Sequence, residues 1–192
     1  MNIICFGSSI TAAGGVAEKD RWPTILQYHL EQWRPGRYSV YNRGVGGNTT
    51  AHLIDRFQAD VLPLLPGTVV LQIGGNDSSV REWSQVTRVG LSDFRRNLHE
   101  FHRAVTSLGG QLVYTTYHRF RDGHEEAYKP FAVTTREVAA ERGAPLIDLY
   151  RIMQERDTDL DRFLSGDGIH LTSAGNAEYA DMVFGGLQKI LA

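Results

Sequence analysis

The stretch Ile3-Ile4-Cys5-Phe6-Gly7-Ser8-Ser9-Ile10-Thr11 decides how this chain reads. Four apolar residues run into a glycine, and two serines follow at once. Such a run is a strand buried in a sheet, and the glycine permits a sharp turn after it. Open α/β sheets bind their ligands outside the carboxyl ends of the strands, so the turn presents a hydroxyl where ligands bind. A serine there acts as a nucleophile only beside a base and a pocket for the developing anion. The remaining residues must supply those parts.

The surrounding pattern repeats strand and helix. After the first strand, about residues 2–7, a helix is expected from Trp22 to Trp33. Pro23 sits in its first turn, and Trp22, Ile25, Leu26, Leu30 and Trp33 share one face. Further strands are expected at Tyr38–Asn42, Thr68–Gly74, Gln111–Tyr117 and Pro145–Leu149. The third of the five is β-branched and unbroken, as a central parallel strand should be. Between them fall three helices. One is capped by Asn48 or Thr49, with Leu53, Ile54, Phe57 and Val61 inward. The next carries the stripe Leu91, Phe94, Leu98, Phe101, Val105 and Leu108, and the third runs from about Lys129 to Arg142. Arg151 to Arg162 reads as a helical surface segment, and a last helix starts near Thr172. Five alternations predict a three-layer α/β/α sandwich on a five-stranded parallel, flavodoxin-like sheet, in one domain over residues 1–192.

Composition narrows the function. The chain has 192 residues, 42% of them hydrophobic, which is ample for a core. A net charge of -2 gives no electrostatic reason to expect nucleic acid or an acidic membrane as partner. Cys5 is the sole cysteine, so no disulfide forms within the chain, and its place in an apolar strand reads as packing. No apolar run approaches a membrane span, and the start carries no signal-peptide pattern, so a cytoplasmic protein is expected. No phosphate-loop pattern is present, which argues against a nucleotide binder.

Three strand ends carry polar groups: Ser9, the Gly46-Gly47 turn and Asn76. A base is offered by Ser165-Gly166-Asp167-Gly168-Ile169-His170. An acid and a histidine three residues apart fit one tight turn, where the carboxylate holds Nδ1–H and leaves Nε2 free to take a proton.

Gly7-Ser8-Ser9-Ile10-Thr11, Gly47, Gly74-Gly75-Asn76-Asp77 and Asp167-Gly168-Ile169-His170 together resemble the four motif blocks of the SGNH, or GDSL-like, hydrolases, in the family's order. The resemblance implies a serine ester hydrolase without a cofactor or metal. It implies Ser9 as nucleophile, His170 as general base and then acid, and Asp167 as its orienting partner. The Ser9 and Gly47 backbone N–H groups and the Asn76 side-chain amide would form the oxyanion hole. Two departures stand out: Ser8 replaces the family's usual Asp, and Gly46-Gly47-Asn48 replaces a frequent Ser-Gly-Asp. Register with the family favours Ser9 over Ser8 as the attacking hydroxyl. Arg43, close to a mouth that has lost carboxylates, suggests tolerance of anionic acyl groups.

Loops at the active edge usually set specificity, which makes Arg81, Trp83, Arg119 and Phe120 candidates for substrate contact. His118, His124, Glu125 and Glu126 match no metal-ligand spacing and read as a solvated polar loop. The expected substrate is a small carboxylic ester with a short acyl group, with no nucleic acid partner and no stable membrane insertion. A carbohydrate O-deacetylase, a lysophospholipase or thioesterase, and a catalytically silent binding module of the same fold are the alternatives.

Overall fold

Strand β1 (Asn2–Gly7) lies between β2 (Ser39–Gly44) and β3 (Gly67–Gln72) in the computed structural model, which describes residues 1–80, 87–121 and 124–192. Beyond β3 come β4 (Gln111–Thr115) and the two-residue β5 (Leu146–Ile147). The order is β2-β1-β3-β4-β5 and every pair is parallel. Ile3 to Phe6 and all of β3 are buried, which is why both segments are unbroken apolar runs. The expected five-stranded parallel sheet is therefore found. Successive strands are laid to one side of β1 as β2 and to the other as β3, so the crevice between β1 and β3 is where doubly wound sheets hold ligands.

Helices cover both faces. On one, α2 (Trp22–Trp33) packs against α9 (Ser173–Leu191). On the other, α3 (Thr50–Asp60), α5 (Leu91–Ser107) and α6 (His124–Arg142) form a row. Two single turns, α1 (Ser9–Ala12) and α4 (Gly75–Ser78), follow β1 and β3 directly. The segment after β5 forms α7 (Leu149–Glu155) and α8 (Leu160–Phe163). Trp22 ties the first layer to the turn that carries Ser9. Its indole Nε1–H donates to Ile10 O at 2.8 Å, and its backbone N–H donates to Asn176 Oδ1 at 3.1 Å. Burying such a side chain is worth about 2–3 kcal/mol from removed apolar area alone.

Three expectations need correction. Helix α6 begins at His124, about five residues before the predicted start, and Pro130 lies inside it. Glu125 and Glu126 favour the positive N-terminal end, and the inward face already starts at the buried Tyr128, which offsets the missing N–H of the proline. Strand β4 stops at Thr115: the Thr116 N–H still donates to Ile147 O at 3.3 Å, and the backbone turns away from the ladder at Tyr117. The Thr116 hydroxyl donates to Asp148, and the Tyr117 N–H donates to the Tyr128 hydroxyl at 2.6 Å. Leu91 and Leu108, expected inward, are exposed, since each lies at an end of α5 beyond the layer it packs on.

Candidate active site

Gly7 closes β1 under tight constraint. A Cβ there would meet Thr11 Oγ1 at 2.2 Å and Gln72 O at 2.4 Å, so only glycine lets the chain turn at this point. Ser9 then opens α1, and as first residue of a helical turn its N–H has no acceptor within that turn. Ser8 and Ser9 part company here. Ser8 is fully buried, and its hydroxyl shares a 2.5 Å hydrogen bond with the Tyr117 hydroxyl. Ser9 is only half-buried and faces the open crevice, where it lines two cavities.

The turn that carries Asp167 and His170 is built locally. Leu164 and Leu171 form an antiparallel bridge, the Ser165 N–H donates to His170 O at 2.7 Å, and Gly168 turns at φ +71°. Asp167 Oδ1 accepts from the Ser165 hydroxyl at 2.7 Å and from the N–H groups of Ile169 and His170 at 2.9 Å each. Its Oδ2 lies 2.6 Å from His170 Nδ1. Partial burial pushes this carboxyl up. The hydrogen bonds from the His170 ring, the two backbone N–H groups and Ser165 outweigh that and hold it far below the usual carboxylate range. A carboxylate only accepts, so the imidazole proton sits on Nδ1. The bare Nε2 is 2.9 Å from Ser9 Oγ.

Two further strand ends approach the same hydroxyl. After β2, the turn Gly44 to Asn48 passes so close that a Cβ on Gly46 would sit 4.0 Å from Ser9 Cβ. Gly47 stands at φ +75°, and a Cβ there would meet nothing, so backbone conformation and not crowding calls for glycine. After β3, Asn76 on α4 donates from Nδ2 to Asn48 O at 2.9 Å, which leaves one amide hydrogen over. Ser9, Gly47, Asn76 and His170 line one cavity of about 630 Å³. A second, about 510 Å³, lies on the other side of Ser9 and His170, against Ala12 to Gly15. Asp77, quoted in the same motif as Asn76, is buried away from both. Its Oδ1 accepts from the N–H of Thr50 at 2.9 Å and from its hydroxyl at 2.5 Å, which pins the start of α3.

The specificity candidates divide. Phe120 is buried yet lines the 630 Å³ cavity with Tyr117, Val80 and Ile169. Arg119 lines neither cavity, because its guanidinium faces the Glu125 carboxylate 3.5 Å away. Arg81 and Trp83 lie outside the described residues. Arg43 is turned from the mouth: its Nε donates to Asp60 O at 3.2 Å and its guanidinium stands over the Tyr41 ring. That removes the ground for expecting it to receive anionic acyl groups.

His118 is the other correction. It is not part of a solvated loop but fully buried among Phe120, Phe163 and Tyr179. Its Nε2 lies 2.7 Å from Ile169 O, the carbonyl just before His170, and since a carbonyl only accepts, Nε2 carries the proton. Next to this bond the Arg121 N–H donates to Gly168 O at 3.0 Å, so the chain after β4 clasps the turn that carries Asp167 and His170 along its back. Among the described residues no three His, Cys, Asp or Glu side chains are grouped to hold a metal ion, and no helix is long and apolar enough to cross a membrane.

The family model of the GDSL-like lipase/acylhydrolases matches residues 5–178. The chain belongs to that family and is a carboxylic ester hydrolase. A protein named uncharacterized lipoprotein YqeF from Bacillus subtilis is 26% identical, over 97% of this chain and 88% of that one. The isoamyl acetate-hydrolyzing esterase 1 homolog of Rattus norvegicus is 25% identical, over 91% of this chain and 76% of its own length. Among solved structures, a lipase/acylhydrolase from Enterococcus faecalis superposes with a TM-score of 0.83 at 25% identity, covering 98% of this chain and 95% of its own.

Proposed function

We propose that this esterase cleaves small, short-acyl carboxylic esters through an acyl-enzyme on Ser9. The observation that carries the reading is the chain of contacts from Asp167 Oδ2 to His170 Nδ1, 2.6 Å, and from His170 Nε2 to Ser9 Oγ, 2.9 Å. His170 takes the Ser9 proton as Oγ adds to the ester carbonyl. Asp167 holds the imidazole in the needed tautomer and stabilises the imidazolium. The carbonyl oxygen becomes an anion facing the N–H groups of Ser9 and Gly47 and the spare hydrogen of the Asn76 amide. His170 then protonates the departing alcohol. Water, deprotonated by the same ring, attacks the acyl-enzyme and releases the acid.

A short acyl group is supported by the name of the rat relative, an isoamyl acetate-hydrolyzing esterase 1 homolog. The apolar walls that Phe120, Val80 and Ile169 give one cavity suit an uncharged ligand part. The test is a panel of aryl esters of rising acyl length, with acetylated sugars beside them, run on the wild type and Ser9→Ala. The reading expects acetyl and butyryl esters to be turned over best and Ser9→Ala to be inactive. Preference for acetylated saccharides over simple esters would move the assignment to a carbohydrate deacetylase. Failure of an organophosphonate to label Ser9 would remove the acyl-enzyme.

A further inference from the structure

The three segments that carry the proposed oxyanion donors are joined by one side chain outside both cavities. Arg56, on the second turn of α3, reaches back under the crevice with only 17% of its side chain exposed. Its Nη2 donates to Gly7 O at 2.8 Å and to Arg43 O at 3.0 Å, the ends of β1 and β2. Its Nε donates to Asn48 Oδ1 at 2.7 Å, and the guanidinium lies over the Phe6 ring, 4.6 Å from its centroid. Its Nη1 pairs with Asp60, which neutralises the buried charge. The backbone oxygen of that same Asn48 accepts from Asn76 Nδ2. One guanidinium therefore sets the spacing of the Ser9 turn, the Gly47 turn and, through Asn48, the Asn76 amide.

We propose that Arg56 is a positioning residue for ester hydrolysis: its planar fork aims the oxyanion donors without touching substrate. The proposal rests on the donor assignment made above. The chemistry requires an arginine. A lysine has three donors on one point and cannot serve acceptors spread over two strand ends and a turn, whereas the rigid fork can. Fixed donors matter because misplacing them by an ångström costs rate while leaving the ground-state complex almost intact.

The test compares Arg56→Met, Arg56→Lys and Asn48→Ala, alone and combined with Asn76→Ala, by steady-state kinetics on a short-acyl aryl ester. Arg56→Met should lower kcat by roughly ten- to a hundred-fold with KM changed by less than about three-fold, and Arg56→Lys should not restore it. Asn48→Ala cuts only the link to the turn and should fold even if Arg56→Met does not. It should cost roughly ten-fold in kcat, and Asn48→Asp, which keeps the acceptor, should recover most of that. In the Asn76→Ala background the Asn48→Ala loss should shrink without vanishing, since the Asn76 share is already gone while the Gly47 turn is still loosened. Losses that multiply in full, or wild-type kcat in folded Arg56→Met and Asn48→Ala, would overturn the proposal while leaving the donors in place. An unchanged rate in Asn76→Ala itself would remove the donor assignment and this proposal with it.

Discussion

The two halves of the site are built by opposite means. The acid–base half, Asp167 and His170, is a single tight turn with 49% and 47% of its two side chains exposed. The half that holds Ser9, Gly47 and Asn76 is assembled from three strand ends and knit beneath by buried groups: Ser8 with Tyr117, Asp77 with Thr50, Arg56 with Gly7 and Asn48. The difference fits what the proposed mechanism asks of each half. A charge that appears and disappears on His170 is best left near water, with a carboxylate held ionised by four hydrogen bonds beside it. Neutral donors aimed at a transient oxyanion act most strongly where they cannot reorient, which calls for a packed floor.

The largest effects should come from breaking the join between the halves. Ser9→Ala and His170→Ala should each lower kcat by roughly a million-fold, the scale of losing a nucleophile or its base in a triad that works as a unit. Their folds should be unchanged by circular dichroism, because neither side chain is part of the buried floor. Near-wild-type turnover in either would mean that the 2.9 Å contact is not the reacting pair. Asp167→Asn should cost less, roughly ten-thousand-fold, since the ring remains but its tautomer is no longer fixed. Next comes the floor itself. Asn76→Ala should slow kcat by roughly a hundred- to a thousand-fold with little change in KM, as expected for a donor used only in the transition state. A loss confined to KM would make Asn76 an ordinary substrate contact.

The two halves also differ in how far they can be read from sequence. The exposed turn is legible because its parts lie within six residues, from Ser165 to His170. Strand β1, α2 and β3 are legible because a doubly buried strand and a one-sided helix leave strong patterns. The floor is not. Arg56 looks like any polar residue on an amphipathic helix, and its acceptors, Gly7 O and Arg43 O, lie 49 and 13 residues away. Ser8 pairs with Tyr117 across 109 residues, so the loss of the family's usual Asp gives no hint of what replaces its bonds. His118 misleads for the same reason. Its neighbours Arg119, Arg121 and Asp122 read as a loop in water, whereas its burial is made by Phe163 and Tyr179 from the far end of the chain.

His118 gives a sharper test of the comparison, because it is a buried brace beneath the exposed turn. His118→Leu should lower kcat by roughly ten-fold through a loosened Ile169 carbonyl, with KM nearly unchanged. His118→Gln offers an amide N–H to the same carbonyl and should recover most of the rate. If both variants are equally slow, the hydrogen bond is not what positions His170, and packing alone explains the residue.

The last effect falls on stability and not on rate. Burial holds the His118 ring down to about 4, against an ordinary value of 6.5; the hydrogen bond to Ile169 O opposes that shift only in part. Between those two pH values the unfolded chain binds a proton that the folded chain refuses. Stability therefore rises with pH across this window, and it falls as pH drops from 6.5 toward 4. At 1.36 kcal/mol per pKa unit, this one group accounts for about 3 kcal/mol of the acid-induced loss. His118→Gln has no ring to titrate, so its Tm against pH should be flatter than the wild type's over this window and keep a constant offset from it below the window. Parallel curves would mean that the ring is already charged, or already solvated, in the folded protein. The brace would then belong with the exposed half of the site instead of with the buried floor.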